Sequence, residues 1–217
     1  MYSFTEENYL KAIYRLQEQG NAAISTNAIA EFLQTRPASV TDMIKKLSDK
    51  RLLKYEKYKG VLLTETGKKV AIDTVRKHRL WETFLYNKLN FSWDKVHDIA
   101  EQLEHIQSED LTDKLEAFLG FPQHDPHGDP IPAKNGKFKA LPLDLLIDAA
   151  ENKPVVVSGV ADHSTNFLKH LQTLNITLGS SITVIKKNAY DQSVEIKIGK
   201  KKQATISFKV AKNLLVK

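Results

Sequence analysis

The sequence predicts a mainly α protein with small β parts: an N-terminal winged helix-turn-helix, a helical block and a small, partly open C-terminal β-barrel. Three observations predict it. Three helical patterns followed by a hairpin pattern open the chain. Helix-period segments with short connections then run from Thr66 to Gly120. Beyond Lys153, four strand-like runs share the sequence with one helical stretch.

The first helix is expected over residues 4–19, FTEENYLKAIYRLQEQ, with Thr5 as N-cap, Tyr9, Leu10, Ile13 and Leu16 as its apolar stripe and Gly20 as its stop. Ser25 or Thr26 caps TNAIAEFLQ, which buries Ile29, Ala30 and Leu33. Pro37 opens ASVTDMIKKLSDKRLL, in which Val40, Ile44 and Leu47 face inward. Two short helices joined around Gln34 to Arg36 make a helix-turn-helix. Arg36 and Pro37 stand at the start of the second. Its first turns expose Ala38, Ser39, Thr41 and Asp42, small polar groups suited to base edges, and Lys45 and Lys46 follow to hold phosphates. LLKYEKYKGVLLT alternates around a Lys-Gly and predicts a two-stranded wing with Lys57 and Lys59 at its tip. A helix-turn-helix that binds a protein has the same pattern; the basic wing favours DNA.

A long helix is expected from Thr66 to about Asn90. Next come FSWDKVHDIAEQLEHIQ, capped by Ser92, and SEDLTDKLEAFLG, capped by Ser108 and closed by Gly120. Trp81, Phe84, Leu85 and Phe118 are explained equally by a core or by a face against a second copy. Residues 121–142 hold five of the seven prolines and read as an extended linker carrying His124, Asp125 and His127. After a linker helix, LDLLIDAAE, the strand-like runs are PVVVSGV, SITVIKK, SVEIKI and ATISFKV, with STNFLKHLQTL as a helix. Turns fall at Asn188 to Asp191 and Gly199 to Lys202, and the basic tip Lys200 to Lys202 reads as a solvated turn. The expected domains are 1–73, 74–140 and 141–217.

Composition narrows the chemistry. The 217 residues are 41% apolar, ordinary for a globular chain, and hold no apolar run of membrane-spanning length; the N-terminus lacks the regions of a signal peptide, which predicts a cytoplasmic protein without a membrane partner. No cysteine is present, so disulfides, thiolate metal sites and cysteine nucleophiles are excluded, and any metal is held by N and O ligands. The net charge of +6 is uneven. Residues 76–130 are net −5 and contain five of the seven histidines, whereas residues 36–59 hold eight Lys/Arg against three Asp/Glu.

Within the acidic segment, VHDIAEQLEH places His97, Glu101, Glu104 and His105 in one arc of a helix beside an apolar arc. A solvated acidic face has the same pattern. The upstream pair His78 and Glu82, spaced i and i+4, argues instead for a divalent-cation site.

KHRLWE, VHDIA followed by EQLEH, and LGFPQHDPHGDPIPAK, within this order of parts, resemble the diphtheria toxin repressor family of metal-dependent transcriptional regulators, over essentially the whole chain. The resemblance implies a homodimer that binds double-stranded operator DNA when loaded with a divalent metal, repressing metal uptake, with a helical dimerisation domain and an SH3-like C-terminal domain. It implies no enzyme and no small-molecule substrate. Glu101 stands where iron sensors carry cysteine, which points to the manganese branch. One implied site uses Glu82, Asp125 and His127 with a ligand from the third domain. The other uses His78, Glu101, Glu104 and His105 with Asn8. His97 and Glu82 also match the iron-type site, and Asp162, His163 or Asn166 are the third-domain candidates. Asn8 replaces an acidic ligand and Lys11 a second carboxylate, so the expectation is a weakened site or substitution by Glu7 or water.

Carboxylate and imidazole donors suit Mn²⁺, with Fe²⁺ and Zn²⁺ as alternatives. The rivals are a Fe²⁺-dependent repressor of the same family and, from another class, a metal-dependent hydrolase or a metal-storage module. HExxH, GxSxG and a Gly-rich phosphate loop are all missing from the sequence.

Overall fold

The computed structural model describes residues 2–18, 20, 23–56, 60–138, 143–199 and 202–217. The chain divides into two compact units. The first comprises Met1–His78, Glu101–Lys114 and Pro132–Phe138, and the second Arg79–Ala100, Leu115–Ile131 and Lys139–Lys217. Residues of the expected helical block are shared between them.

In the first unit, α1 (Phe4–Glu18) is capped by Ser3 rather than Thr5. Ser3 Oγ accepts from the Glu6 N–H at 3.3 Å and Glu6 Oε2 accepts from the Ser3 N–H at 3.0 Å, a reciprocal capping box whose Ser-x-x-Glu spacing Thr5 cannot supply. Ser25 caps α2 (Thr26–Phe32), and Pro37 begins α3 (Pro37–Asp49). Gln34 in the connection takes φ 49°, which turns the chain sharply between the two helices. Val40, Ile44 and Leu47 are buried at helical spacing against Leu10, Ile13 and Ile29. β1 (Leu53–Glu56) and β2 (Gly60–Leu63) form the antiparallel wing. Ile24 pairs with Val61, and Gly60 passes so close that a Cβ there would sit 2.7 Å from the Ile24 carbonyl oxygen. Lys57 and Lys59 lie outside the described residues.

α4 (Glu65–Asn87) packs Ala71 and Val75 into the first core. α5 spans Val96–Leu103, shorter than expected at both ends. Ser92 does not cap it: Lys95 N–H bonds to the Ser92 carbonyl in a turn, and Trp93 is buried in the core of the second unit. α6 (Glu109–Phe118) is capped by Ser108 and closes through Gly120 at φ +75°.

Residues 121–138 are folded, not an extended linker. Asp125 Oδ1 accepts from the backbone N–H groups of His127 and Asp129, curling the loop around its own carboxylate, and Asp125, Pro126, His127 and Gly128 are buried. Residues 139–142, with the expected boundary at 140, lie outside the described residues.

In the second unit, LDLLIDAAE is not a helix. β3 (Asp144–Leu145) leads into a single 3-10 turn whose Leu146 is wholly buried, because strand pairing competes successfully for this short apolar run. β4 (Pro154–Val160), α7 (Thr165–Leu174), β5 (Ser181–Lys187), β6 (Val194–Ile198), β7 (Lys202–Ile206), α8 (Phe208–Ala211) and β8 (Leu214–Val216) follow, so the FKV of the fourth strand-like run turns into a short helix. The sheet order β3-β8-β4-β5-β6-β7 is antiparallel throughout and bulges within β4 and β5. Alternation turns Val194, Ile196 and Ile198 inward. Lys200 and Lys201 lie outside the described residues; Lys202 Nζ donates to the Leu174 carbonyl at 2.8 Å. No helix among the described residues is long and apolar enough to cross a membrane.

Candidate metal centre

The second unit gathers Glu82 from α4 with Asp125 and His127 from the curled loop. One ligand atom of each lies within 4.8 Å of the others, and all three side chains are buried. The loop is seated on β4: Val160 N–H donates to the His127 carbonyl at 2.9 Å, and a Cβ on Gly128 would stand 2.2 Å from the Ser158 carbonyl oxygen, so only glycine permits this approach. His127 Nδ1 is 3.4 Å from Glu82 Oε2, while Nε2 faces the Trp93 carbonyl at 3.4 Å. Bonding of Nε2 to a carbonyl orients the ring and leaves Nδ1 for the carboxylates. Trp93 and His163 both stack on this ring, with centroids at 5.9 and 5.0 Å.

The electrostatics fit a cation. Glu82, Asp125 and Asp129 bring three carboxylates together, against which Arg79 sets one guanidinium, 3.2 Å from Asp129 and 3.7 Å from Asp125. Burial, with the charges of Asp129 and Glu82, holds the Asp125 carboxyl well above its ordinary range. Burial disfavours a charged His127, yet the hydrogen bond and charge of Glu82, aided by Asp125 and Asp129, outweigh it and raise the imidazole to about 9. A buried cluster of carboxylates and imidazole holds protons in a metal's absence and can exchange them for a divalent ion. His163 is half-buried beside this cluster with Nε2 3.1 Å from the Val160 carbonyl, and Asp162 Oδ1 accepts from the Ser164 N–H. His97 Nδ1 lies 3.2 Å from Glu82 Oε1.

The single arc expected for His97, Glu101, Glu104 and His105 is therefore divided. His97 and Glu101 stand about one helical turn apart on α5, a rise of about 6 Å, and α5 ends at Leu103, so Glu104 and His105 sit in the turn beyond it.

Glu104 and His105 join a cluster in the first unit. Glu104 Oε2 is 2.6 Å from His78 Nδ1, and Glu104 Oε1 accepts from Lys11 Nζ at 2.5 Å. The same ammonium reaches Glu101 Oε1 at 3.1 Å. His105 Nδ1 is 2.6 Å from Glu7 Oε2, whose other oxygen accepts from Gln107 Nε2. Burial alone raises the Glu104 carboxyl, but His78 and Lys11 more than reverse this and hold it low. Asn8 Oδ1 is buried without a hydrogen-bond partner among the described residues. This cluster does not fit the implied second metal, because a lysine ammonium stands among its carboxylates.

On the surface of α3 that the sequence assigns to DNA, Arg36, Pro37, Ala38, Ser39, Thr41, Asp42, Lys45 and Lys46 are all exposed. Lys46, however, reaches back to the buried Glu6 at 3.0 Å, with Lys50 beside it at 2.7 Å. Sequence reasoning missed Arg79, Asp129 and Trp93 around His127; the recurring carboxylates of the loop, Asp125 and Asp129, were the available signal.

Three family models cover most of the chain: "Iron dependent repressor, N-terminal DNA binding domain" on residues 1–61, "Iron dependent repressor, metal binding and dimerisation domain" on 64–133 and "FeoA domain" on 145–217. The chain is 28% identical to the diphtheria toxin repressor of Corynebacterium diphtheriae over 86% of each chain. It is 39% identical to the HTH-type transcriptional regulator MntR of Bacillus pumilus over 53% of this chain and 78% of the relative. A solved structure described as a manganese-dependent transcriptional repressor in complex with manganese superposes with a TM-score of 0.83 at 32% identity, covering 97% of this chain and 98% of that one. The chain belongs to the iron-dependent repressor family of metal-dependent transcriptional repressors, the family of the diphtheria toxin repressor.

Proposed function

We propose that this protein is a cytoplasmic, homodimeric repressor that Mn²⁺ switches onto operator DNA to control metal-uptake genes, with residues 1–73 as the DNA-binding head, 74–140 for metal binding and dimerisation, and 141–217 as an SH3-like accessory domain. The observation that carries the reading is the buried Glu82, Asp125 and His127 group in a chain whose α3 exposes a polar and basic face. Oxygen-rich donors without thiolate favour Mn²⁺ or Fe²⁺ by ligand type, whereas raw affinity order favours Zn²⁺, so selectivity rests on coordination number and availability. Glu82 of α4 and Asp125 and His127 of the loop would hold the ion, whose charge would draw these two segments together. α4 is continuous from Ala71 and Val75 in the head core to Glu82, so restraint of its later turns biases the head toward its DNA-competent arrangement. DNA then tightens metal binding by the same factor, a coupling typically of about 1–3 kcal/mol. The reading describes a regulator without catalytic activity, and neither hydrolysis nor storage accounts for the exposed face of α3.

The test is a fluorescence titration onto a fragment of the protein's own upstream promoter, in chelator and then with Mn²⁺, anaerobic Fe²⁺ or Zn²⁺. Tight binding with Mn²⁺ alone is expected. Equal activation by Fe²⁺ turns the assignment to an iron sensor, a reading that the iron-dependent repressor IdeR of Mycobacterium tuberculosis, 36% identical over 59% of this chain and 55% of its own length, keeps in view. Metal-independent or absent binding overturns the switch.

A further inference from the structure

We propose that the Lys11 ammonium is a permanent internal cation that fills the carboxylate and imidazole cluster of the first unit, so that this cluster ties α1 to α4 and the end of α5 without a metal and the protomer takes one regulatory ion, not two. The count of one rests on the Glu82, Asp125 and His127 reading above. The ammonium itself is placed by geometry: Nζ lies 2.5 Å from Glu104 Oε1 and 3.1 Å from Glu101 Oε1, and its side chain is only 7% exposed.

A metal coordinated by these same two oxygens at about 2.0–2.2 Å would share the space of Nζ and repel it. The charged donors around it are already engaged without a metal, and among the described residues the neutral Asn8 Oδ1 is the neighbouring oxygen left without a partner. Glu104 Oε2 meets His78, His105 meets Glu7, and the second oxygen of Glu7 accepts from Gln107. The three carboxylates Glu7, Glu101 and Glu104 thus face Lys11, His78 and His105, with Phe4 stacked on the His105 ring at 4.7 Å. Lys11 sits one helical turn beyond Asn8 on the same face of α1, so it reaches the cluster from the position next to the neutral Asn8 oxygen. A point charge on a four-carbon stem replaces a metal's charge but not its coordination number, so this tie is not responsive to metal supply. The head is pre-assembled there, and the metal response is left to the other unit.

The test counts Mn²⁺ bound to the purified full chain by electron paramagnetic resonance after equilibrium dialysis, and follows thermal unfolding in chelator and in Mn²⁺. The expected counts are one per protomer for wild type, none for Glu82→Ala and two for Lys11→Glu. Mn²⁺ leaves the unfolding temperature of Glu82→Ala unchanged. The proposal is overturned if Glu82→Ala keeps one Mn²⁺ that adding Glu104→Gln removes, or if folded Lys11→Glu gains none. Should Lys11→Glu not fold, the Glu82→Ala count still decides. Wild type binding none while Lys11→Glu binds one upholds the internal cation and instead overturns the Glu82 centre.

Discussion

Glu82 is the side chain on which the metal reading turns, since it meets both His127 and His97 and is buried. On the proposed reading its replacement by Ala removes a ligand, and because loss of mere supporting partners of metal ligands costs about 10–100-fold in affinity, Glu82→Ala is expected to lose at least about 100-fold for Mn²⁺ and with it metal-dependent promoter binding. Isothermal titration and the promoter titration check both. On α3, Lys45 and Lys46 separate. Lys45 makes a 3.9 Å contact with exposed Asp42, whereas Lys46 neutralises buried Glu6. Lys45→Ala should weaken binding uniformly across DNA sequences and reduce the salt slope by about one, while Thr41→Ala should alter sequence preference; salt-dependent anisotropy on two promoter sequences distinguishes them.

The start of α1 is held by its cap and by Glu6. Burial raises the Glu6 carboxyl, but the hydrogen bond from Lys50, the Ser3 N–H, Lys46 and the charge of Lys50 outweigh it and lower the group to about 2. The folded value lies below the unfolded one of 4.5, so the unfolded chain takes up the proton first. The stabilisation is therefore whole above pH 4.5 and is lost as pH falls toward 2. Glu6→Gln should cost about 1–3 kcal/mol near neutral pH, with the gap to wild type narrowing below pH 4.5, as read by denaturant titrations. In the wing, Gly60 combines φ +109° with the 2.7 Å approach to Ile24. Gly60→Ala meets backbone there and should destabilise the head by more than the about 1 kcal/mol of a strain-free Gly change. Helix periodicity made α1 and α3 legible in sequence; the choice of Ser3 over Thr5 required the reciprocal Glu6 contact.

At the scale of the assembly, Trp81 and Phe84 pack beside Leu80, Leu115 and Ile131, while Phe118 and Phe121 are more than 60% exposed. Exposed aromatic rings next to an apolar cluster suit burial against a second copy. If the proposed homodimer forms through this face, Phe118→Glu together with Phe121→Glu should yield a monomer in sedimentation and lower promoter affinity by more than about tenfold, because a helix-turn-helix dimer reads two half-sites.

By itself the sequence determined the order of parts, the inward faces of the head helices, the exposed α3 surface and the families of metal donors. These follow from local periodicity, capping chemistry and the lack of cysteine, all of which are properties of neighbouring residues. Only the tertiary structure decided which donors meet. A proline-rich stretch became a buried loop because Asp125 satisfies two backbone donors and Gly128 admits β4. The arc of VHDIAEQLEH was divided because His97 meets Glu82 while Glu101, one turn on, meets Lys11, and Lys11 entered the carboxylate cluster across a contact far apart in sequence. Charge balance in a buried cluster is a sum over side chains that only folding brings together, and no local pattern records it.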